Sequence, residues 1–291
     1  MIRREPRTVR SFVVALATMA AAGALGSCGP SAPRTRPITL TFRGEVGGME
    51  FACGRDYAGV GASATTFTAE DFRFYVHDLR VVGADGVQTP IALDDDGQWQ
   101  DGDVALLDFE DGGSACGSGG NTPTNHVVRG TLPADLGPIT GVRFVVGVPP
   151  ERNHLDSATQ PSPLNLTTMF WSWMDGYKFV RIEGRTTGQP GGIAFHLGAT
   201  GCTGDARMGT RVCANTNLPE IALDVASEEA LGAGAIVADL ADLFATTDLD
   251  VDAGGLAGCQ SSESDPECAT IFAELGLRGG TQRFFHFEGA P

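Results

Sequence analysis

The sequence predicts a mostly β protein, with a two-sheet, β-sandwich-like domain and a few short helices. Short segments rich in β-branched and aromatic residues recur along the chain, and several of them alternate apolar with polar residues. Turn residues separate these segments, and the 40 glycines supply many of the breaks. Since 291 residues are enough to bury one large core, we expect a single β domain.

The individual elements follow from local patterns. The predicted strands begin at Ile38 (ITLTFRGEV), Asp71 (DFRFYVHDLRVV), Val104 (VALLDFE), Val142 (VRFVVGV), Tyr177 (YKFVRIEG), Ile193 (IAFHLG) and Arg283 (RFFHFEG). Residues 235–244 (AIVADLADLF) and 268–275 (CATIFAEL) carry apolar residues at helical spacing, so we predict helices there. Both helices are expected to cover one end of the β domain.

Residues 1–27 have the pattern of a bacterial lipoprotein signal peptide. Four arginines precede an alanine-rich apolar run that is too short to span a bilayer as a permanent helix. The run leads into the tetrapeptide LGSC, which ends at Cys28. This small-residue pattern predicts that Cys28 is lipidated and becomes the N-terminus after cleavage.

Residues 28–37 are predicted to form the lipid anchor and a flexible, proline-punctuated tether, and residues 38–291 the single folded domain. The protein is therefore expected to be exported as a periplasmic or cell-surface lipoprotein that contacts the membrane only through its lipid. Gly29 stands where inner-membrane lipoproteins commonly carry an aspartate, so we expect the outer membrane to hold the anchor.

The chain is strongly acidic, with a formal net charge of −16 at pH 7. Cleavage of the signal peptide would remove four arginines and one glutamate and make the protein more acidic still. A surface of this sign repels nucleic acid, so no nucleic-acid partner is expected. It favours cations, metal ions or a partner protein that is basic where it docks.

Beyond Cys28 the chain contains six cysteines. An even number in an exported protein favours three disulfides over metal ligation, and the absence of a CxxC motif makes a zinc site improbable. The sequence does not fix the connectivity. The short intervals favour two local bridges and leave one long-range pair, namely Cys202 with Cys213, Cys259 with Cys268, and Cys53 with Cys116.

Residues 164–182 (LNLTTMFWSWMDGYKFVRI) contain two of the three tryptophans, Trp171 and Trp173. In an extended segment this spacing places both indoles on one face. Such a face can be a wall of the core, a redox site, or a stacking platform that includes Tyr177 and binds a carbohydrate or another ligand.

Three histidines are candidate metal ligands. His77 precedes an aspartate in a predicted strand, His154 lies in NHLD, and His196 lies in AFHLG. A carboxylate that fixes the tautomer of an imidazole prepares it for a late transition metal, although each histidine alone is more often structural. The chain has no GxSxG, HExxH or phosphate-binding loop, and no enzymatic activity is predicted.

Several blocks, in this order, resemble the MbnP family of exported copper-binding proteins, also called metallo-mystery pair four-Cys proteins. They are DFRFYVHDLRVV (71–82), ALDDDGQWQ with VALLDFEDG (92–112), GVPPERNHLD (147–156), PLNLTTMFWSWMDGYKFVRIEG (163–184) and FHLGATGC (195–202). The resemblance extends from about residue 40 to residue 277. It implies a copper-binding lipoprotein, and the alternative that the residues leave open is the carbohydrate- or ligand-binding β-sandwich.

The resemblance also implies a partner and a modification. Family members work with a MauG-like di-haem enzyme of the cytochrome c peroxidase family, which converts a tryptophan to kynurenine before copper binds. By position this tryptophan is Trp171 or Trp173. The indole nitrogen is a poor ligand because its lone pair belongs to the ring, whereas kynurenine offers an aniline nitrogen and a ketone oxygen.

By position the resemblance suggests His77, His154 and His196 as ligands of copper, expected as copper(I), with His77 and His154 ahead of His196. The four cysteines that name the family correspond to Cys53, Cys116, Cys202 and Cys213, so Cys259 and Cys268 form a further pair. An acidic face is expected to steer the haem partner if the partner is basic there.

Overall fold

A computed structural model of the protein describes residues 34–116, 123–255 and 257–290. The expected signal peptide, Cys28 and most of the tether lie outside the described residues. The first strand begins at Thr35, slightly before the predicted start of the domain at Ile38.

Strands dominate the described chain. In order they are β1 (Thr35–Val46), β2 (Met49–Glu50), β3 (Asp56–Val60), β4 (Thr65–Gly83), β5 (Gln88–Pro90), β6 (Ala92–Leu93), β7 (Gln100–Asp101), β8 (Val104–Asp108), β9 (Val127–Pro133), β10 (Ile139–Val146), β11 (Phe170–Ser172), β12 (Gly176–Tyr177), β13 (Val180–Thr186), β14 (Ile193–Leu197), β15 (Thr200–Thr203), β16 (Val212–Asn215), β17 (Glu220–Asp224), β18 (Ala235–Asp239), β19 (Gly258–Cys259) and β20 (Phe285–Glu288). The helices are α1 (Glu228–Ala233), α2 (Leu240–Leu243) and α3 (Pro266–Glu274), with 3-10 turns at Ser157–Thr159, Thr167–Met169 and Ala206–Met208.

Two sheets pack against each other, as the sequence predicted. The smaller sheet has the order β20-β18-β1-β9-β6, with β2 beside β1, and the larger has the order β17-β10-β4-β13-β14-β19, with β3, β5, β7 and β8 attached around β4. Aromatic rings fill the space between them: Phe42 of the smaller sheet contacts Phe74 and Phe144 of the larger sheet edge-to-face, at centroid distances of 6.1 and 5.7 Å. Hairpins β11–β12 and β15–β16 stand apart as two-stranded ladders.

Strand β4 organises the larger sheet because different parts of its 19 residues pair with β3, β5, β8, β10 and β13. Its side chains alternate between the two faces. Phe72 and Phe74 enter the aromatic core, whereas Arg73, Tyr75 and His77 point to the opposite face and are buried there as well. The chain between β10 and β13 covers that face, and the Tyr75 hydroxyl donates a 2.9 Å hydrogen bond to its Pro163 carbonyl.

One predicted helix is partly wrong. Residues 235–239 form β18, which lies parallel to β1 with Ile236 opposite Phe42, and only the four residues of α2 are helical. All five residues of β18 are buried, so the strand shows no alternation of apolar and polar residues. The predicted helix at 268–275 is confirmed as α3, which begins at Pro266 behind an Asp265 cap.

Three disulfides link the six cysteines in the expected pairs, which are Cys53 with Cys116, Cys202 with Cys213, and Cys259 with Cys268. The Cys202–Cys213 bridge joins directly opposed residues of β15 and β16 and therefore fixes that hairpin. Within the described ranges, no helix has the length and apolar character needed to cross a membrane.

Candidate metal centre around Trp171

The two tryptophans of the aromatic segment do not share a face. Trp171 lies in β11, but the strand ends at Ser172, whose hydroxyl oxygen accepts hydrogen bonds from the backbone of Met174 and Asp175 at 3.1 Å each. This turn separates the indoles: Trp171 is half-buried, whereas Trp173 is 38% exposed. The prediction of one paired-indole face is therefore wrong, because the segment is not extended beyond Ser172.

Trp171 lies against the end of β14. Gly198 gives its ring the necessary space, since a Cβ at position 198 would lie 2.8 Å from Trp171 Cη2 and 2.9 Å from the Tyr177 carbonyl. The His196 ring is tilted toward the indole, with 6.2 Å between the ring centroids. His196 is thus the candidate ligand that the fold brings to Trp171.

His196 is oriented by a carboxylate. Its Nε2 lies 2.7 Å from Glu183 Oε1, so Nε2 carries the proton and donates it, and Nδ1 keeps a lone pair. This Nδ1 is buried and has no hydrogen-bond partner among the residues that the structure describes. Arg181 fixes Glu183 in turn, with both contacts at 2.8 Å. The arrangement is that of a carboxylate–histidine pair with one free donor atom, as second-shell carboxylates provide in metal sites.

Buried charges on β4 and β13 hold the chain that precedes Trp171. Arg73 pairs with Asp71, and Arg181 lies 3.1 Å from the same carboxylate. Three cations then converge on Thr168: Arg181 and Lys178 donate to its carbonyl at 3.1 and 3.0 Å, and Arg73 donates to its hydroxyl at 3.2 Å. Because Thr168 lies in the 3-10 turn just before β11, these bonds fix the position from which Trp171 extends.

His154 lies beside the Cys202–Cys213 disulfide. Its Nδ1 lies 3.3 Å from the Trp173 carbonyl and its Nε2 lies 3.1 Å from Cys213 Sγ. The buried Asn153 lies 3.3 Å from the same Nε2. One donor atom from each of His154, Cys202 and Cys213 lies within 4.8 Å of the others. Cys202 and Arg211 also line the pocket that contains Trp171, so His154 adjoins the Trp171 site through the disulfide.

His77 occupies a different place. Its Nδ1 donates to the Gly147 carbonyl at 2.8 Å, and the ring borders an open pocket with Asp103 and Glu151 that contains neither tryptophan. Among the described residues, no two of the three candidate histidines belong to one group of close metal-ligand atoms. The structure therefore brings His196 to Trp171, places His154 next to that site, and leaves His77 apart.

Burial favours the neutral form, which is the form that binds metal, in all three imidazoles. Burial lowers the pKa of His196, and nearby Lys178 adds to this effect while Glu183 opposes it. Burial likewise lowers the pKa of His154 and of His77. Burial also lowers the pKa of Lys178, to about 8, with Arg181 contributing.

An exposed stacking platform of Trp171, Trp173 and Tyr177 is not formed. Tyr177 is fully buried, and its hydroxyl donates to the Leu164 carbonyl at 2.6 Å. Its ring packs against Phe170 and Tyr75 instead of solvent. The three rings therefore do not form one exposed surface for a carbohydrate, because Tyr177 lies in the core and Trp173 at the surface.

Sequence reasoning missed the residues that support the site. Arg181 and Glu183 alternate in VRIEG, so they share one face of β13, and Arg181 lies opposite His196 on β14. That spacing is visible in the sequence, but the pairing of the two strands is not. The sequence around Gly198 does not predict that the Trp171 indole packs against this glycine.

Comparison with known proteins agrees with the fold. The family model for MbnP matches residues 35–261. Among solved structures, MbnP from Methylosinus trichosporium is similar to this chain with a TM-score of 0.76 and 29% sequence identity, over 89% of this chain and 100% of that one. No functionally curated protein matches the sequence. Since the family model matches well over half of the chain, the protein belongs to the MbnP family.

Proposed function

We propose that this protein binds copper at a site formed by His196 and Trp171, after the Trp171 indole has been converted to kynurenine. Membership of the MbnP family associates the protein with copper. The observation that carries the proposal is the buried, unpartnered Nδ1 of His196 next to the Trp171 ring, with Nε2 already held by Glu183. A lone pair in this setting is suited to a metal, because it accepts no hydrogen bond within the described part of the chain.

Trp171 fits the role of the modified residue better than Trp173. Opening of the pyrrole ring removes one carbon, adds one oxygen, and turns a nitrogen without a free lone pair into an aniline. At position 171 the new donor groups arise beside His196, whereas Trp173 lies at the surface under the guanidinium of Arg207. An imidazole and an aromatic amine suit copper(I).

His154 is the second proposed ligand. It adjoins the Trp171 pocket, and its Nε2 faces the Cys202–Cys213 disulfide instead of a carboxylate. His77 lies in a separate pocket, and we leave it out of the proposed site. Met169 is fully buried and Met174 is exposed, and we leave both out of the proposed site.

The biological setting of the proposal rests on the family resemblance and on the N-terminal sequence. The protein would be an exported lipoprotein, anchored through Cys28 and without enzymatic activity of its own, that takes part in copper acquisition or storage. A MauG-like di-haem enzyme would carry out the oxidation of Trp171, because opening an indole ring requires an oxidant that amino-acid side chains do not supply.

The test combines peptide mapping with copper titration. The protein is produced alone and together with the di-haem enzyme, and residues 164–181 are examined by mass spectrometry. We expect Trp171 to lose one carbon and gain one oxygen only in the second sample, and only that sample to bind copper(I) tightly. His196→Ala should weaken copper binding at least tenfold, as the loss of one ligand predicts.

Two controls make the result specific. His286→Ala removes an exposed histidine of β20 and should leave copper affinity unchanged. Trp173→Phe should still yield modified, copper-binding protein, whereas Trp171→Phe should not. Intact indoles in the presence of an active partner enzyme, or full copper affinity in His196→Ala, would show the proposal to be wrong.

A further inference from the structure

The surface beside the proposed site carries an unusual concentration of exposed apolar side chains. Eight large apolar side chains are exposed among the described residues, and four of them belong to the two short hairpins next to Trp171. These are Trp173 (38% exposed), Met174 (46%), Met208 (73%) and Val212 (68%). Together with Arg207 and Arg211 they form what we call the hairpin patch. Clustered exposed apolar residues of this kind mark interaction surfaces.

Contacts between the two hairpins make the hairpin patch continuous. Arg211 donates to the Met174 carbonyl through Nε and Nη2, at 3.1 and 2.8 Å. The Arg207 guanidinium stacks on the Trp173 ring at 4.9 Å from its centroid. The Cys202–Cys213 disulfide closes the hairpin that carries both arginines. The patch is therefore held in place before any partner arrives, which lowers the entropic cost of docking.

The hairpin patch presents two arginines at its centre in an otherwise acidic protein. Neither Arg207 nor Arg211 pairs with a carboxylate among the described residues, and the contacts of their guanidinium groups are with carbonyls and an aromatic ring. Two carboxylates lie beside the patch: Asp205 accepts from the Arg207 backbone nitrogen at 2.9 Å, and Asp175, which lines the pocket with Arg211, accepts from the Ser172 hydroxyl at 2.7 Å. Two unpaired arginines at an apolar centre, in a chain of net charge −16, select a partner that is acidic at the contact.

We propose that the hairpin patch is the docking surface for the di-haem partner, and that the partner presents an apolar centre flanked by carboxylates. This identification of the occupant rests on the proposed function. Arg211 lines the same pocket as Trp171, and Trp173 and Met174 lie two and three residues after Trp171 in the chain. A partner bound to the patch would therefore lie next to the indole that it modifies. The proposed docking surface has the opposite polarity to the sequence-based expectation of an acidic face and a basic partner.

The test compares one variant that changes the charge of the patch with one that changes its apolar character. Arg207→Glu reverses a charge and also removes the stacking on the Trp173 ring, whereas Met208→Asp leaves the named contacts between the hairpins in place and puts a charge at the most exposed apolar position. Their controls are Arg129→Glu, an exposed arginine of β9, and Val87→Asp, an exposed apolar residue of another turn. For each protein the rate at which the di-haem enzyme converts Trp171 is measured by mass spectrometry at low and at high ionic strength.

We expect Arg207→Glu and Met208→Asp each to slow the conversion about tenfold at low ionic strength, and the two controls to stay within about twofold of wild type. Salt should slow the wild-type reaction but have little effect on Arg207→Glu. Wild-type rates in both patch variants would overturn the docking surface and leave the copper site standing. A patch that instead mediates self-association, seen as a wild-type dimer that Met208→Asp dissolves in sedimentation experiments, would overturn it as well. A wild-type protein that the enzyme does not modify at all would refute the proposed function itself.

Discussion

Replacing Gly198 with alanine adds a single methyl group and tests how Trp171 packs against the backbone at position 198. The Cβ would lie 2.8 Å from Trp171 Cη2, closer still to Cζ3, and 2.9 Å from the Tyr177 carbonyl. Carbon atoms in contact prefer separations of about 3.5 to 4.0 Å, so the indole must move outward by roughly 1 Å. The backbone of Tyr177 cannot yield, because its nitrogen donates to the buried Asn153 at 2.9 Å.

The expected cost follows from overpacking at one rigid contact. Inserting a methyl group into a packed site typically costs about 1 to 3 kcal/mol. For a domain of this size that corresponds to a fall in Tm of about 3 to 10 °C. Because Gly198 does not have a positive φ, backbone strain adds nothing, and the whole effect comes from the lost space.

Thermal unfolding and tryptophan fluorescence measure the two consequences. Gly191→Ala is the matched control, since nothing lies within 4 Å of its added Cβ and its φ is not positive. We expect Gly198→Ala to unfold at a lower temperature, with a fluorescence spectrum that indicates a more exposed indole, and Gly191→Ala to match wild type. A Gly198→Ala variant with wild-type Tm and spectrum would refute the placement of Trp171 above Gly198.

Three further changes have defined outcomes. Glu183→Gln should weaken copper(I) binding by about tenfold in a competition titration, because the histidine that it orients loses its charged acceptor. Burial raises the pKa of Asp108 from 3.8 to about 7, so the folded state holds a proton that the unfolded chain releases, and stability falls as pH rises through that window. In urea unfolding, Asp108→Asn should remove this pH dependence and have a free energy of unfolding about 1 to 3 kcal/mol above that of wild type between pH 5 and pH 8. The control Asp135→Asn, at an exposed position, should show the same pH dependence as wild type. Replacing both Cys259 and Cys268 with alanine should cost about 2 to 3 kcal/mol of unfolding free energy in the same assay, since their bridge closes a short loop.

The sequence predicted most of the fold because most strands alternate. Segments such as DFRFYVHDLRVV place one set of side chains in the aromatic core and the other on the opposite face, and β4 contains this segment whole. Residues 235–239 lack such alternation, and the spacing of apolar residues over 235–244 predicts a helix there. All five are buried, so their apolar run matches a buried strand and a helix equally well, and only pairing with β1 decides between them.

The site was less accessible to sequence reasoning because it depends on contacts between distant segments. The importance of Trp171 and His196 was visible in the family blocks, but their contact requires β11 to lie across the end of β14. The Ser172 turn that separates the two indoles had a local signal in the SWMDG sequence, where serine, aspartate and glycine favour a turn. The sequence carries no local signal that separates His77 from His154. The two histidines line different pockets on either side of Pro150, and this depends on the path of the folded chain.

The middle of β4 should be the best protected part of the larger sheet against hydrogen exchange. Residues 72–77 pair with β8 along one edge and mainly with β13 or β10 along the other. Their side chains pack in the aromatic core on one face, and on the other face Arg73 donates to the hydroxyl of Thr168. Their amide hydrogens should therefore exchange with solvent only when the whole domain unfolds. The β11–β12 hairpin above them is only a two-stranded ladder, but the fully buried Tyr177 of β12 keeps it attached to the core through its backbone nitrogen, which donates to Asn153 at 2.9 Å. Trp171 itself is half-buried and already borders a surface pocket, so the proposed modification and metal binding would leave the slowly exchanging strands undisturbed.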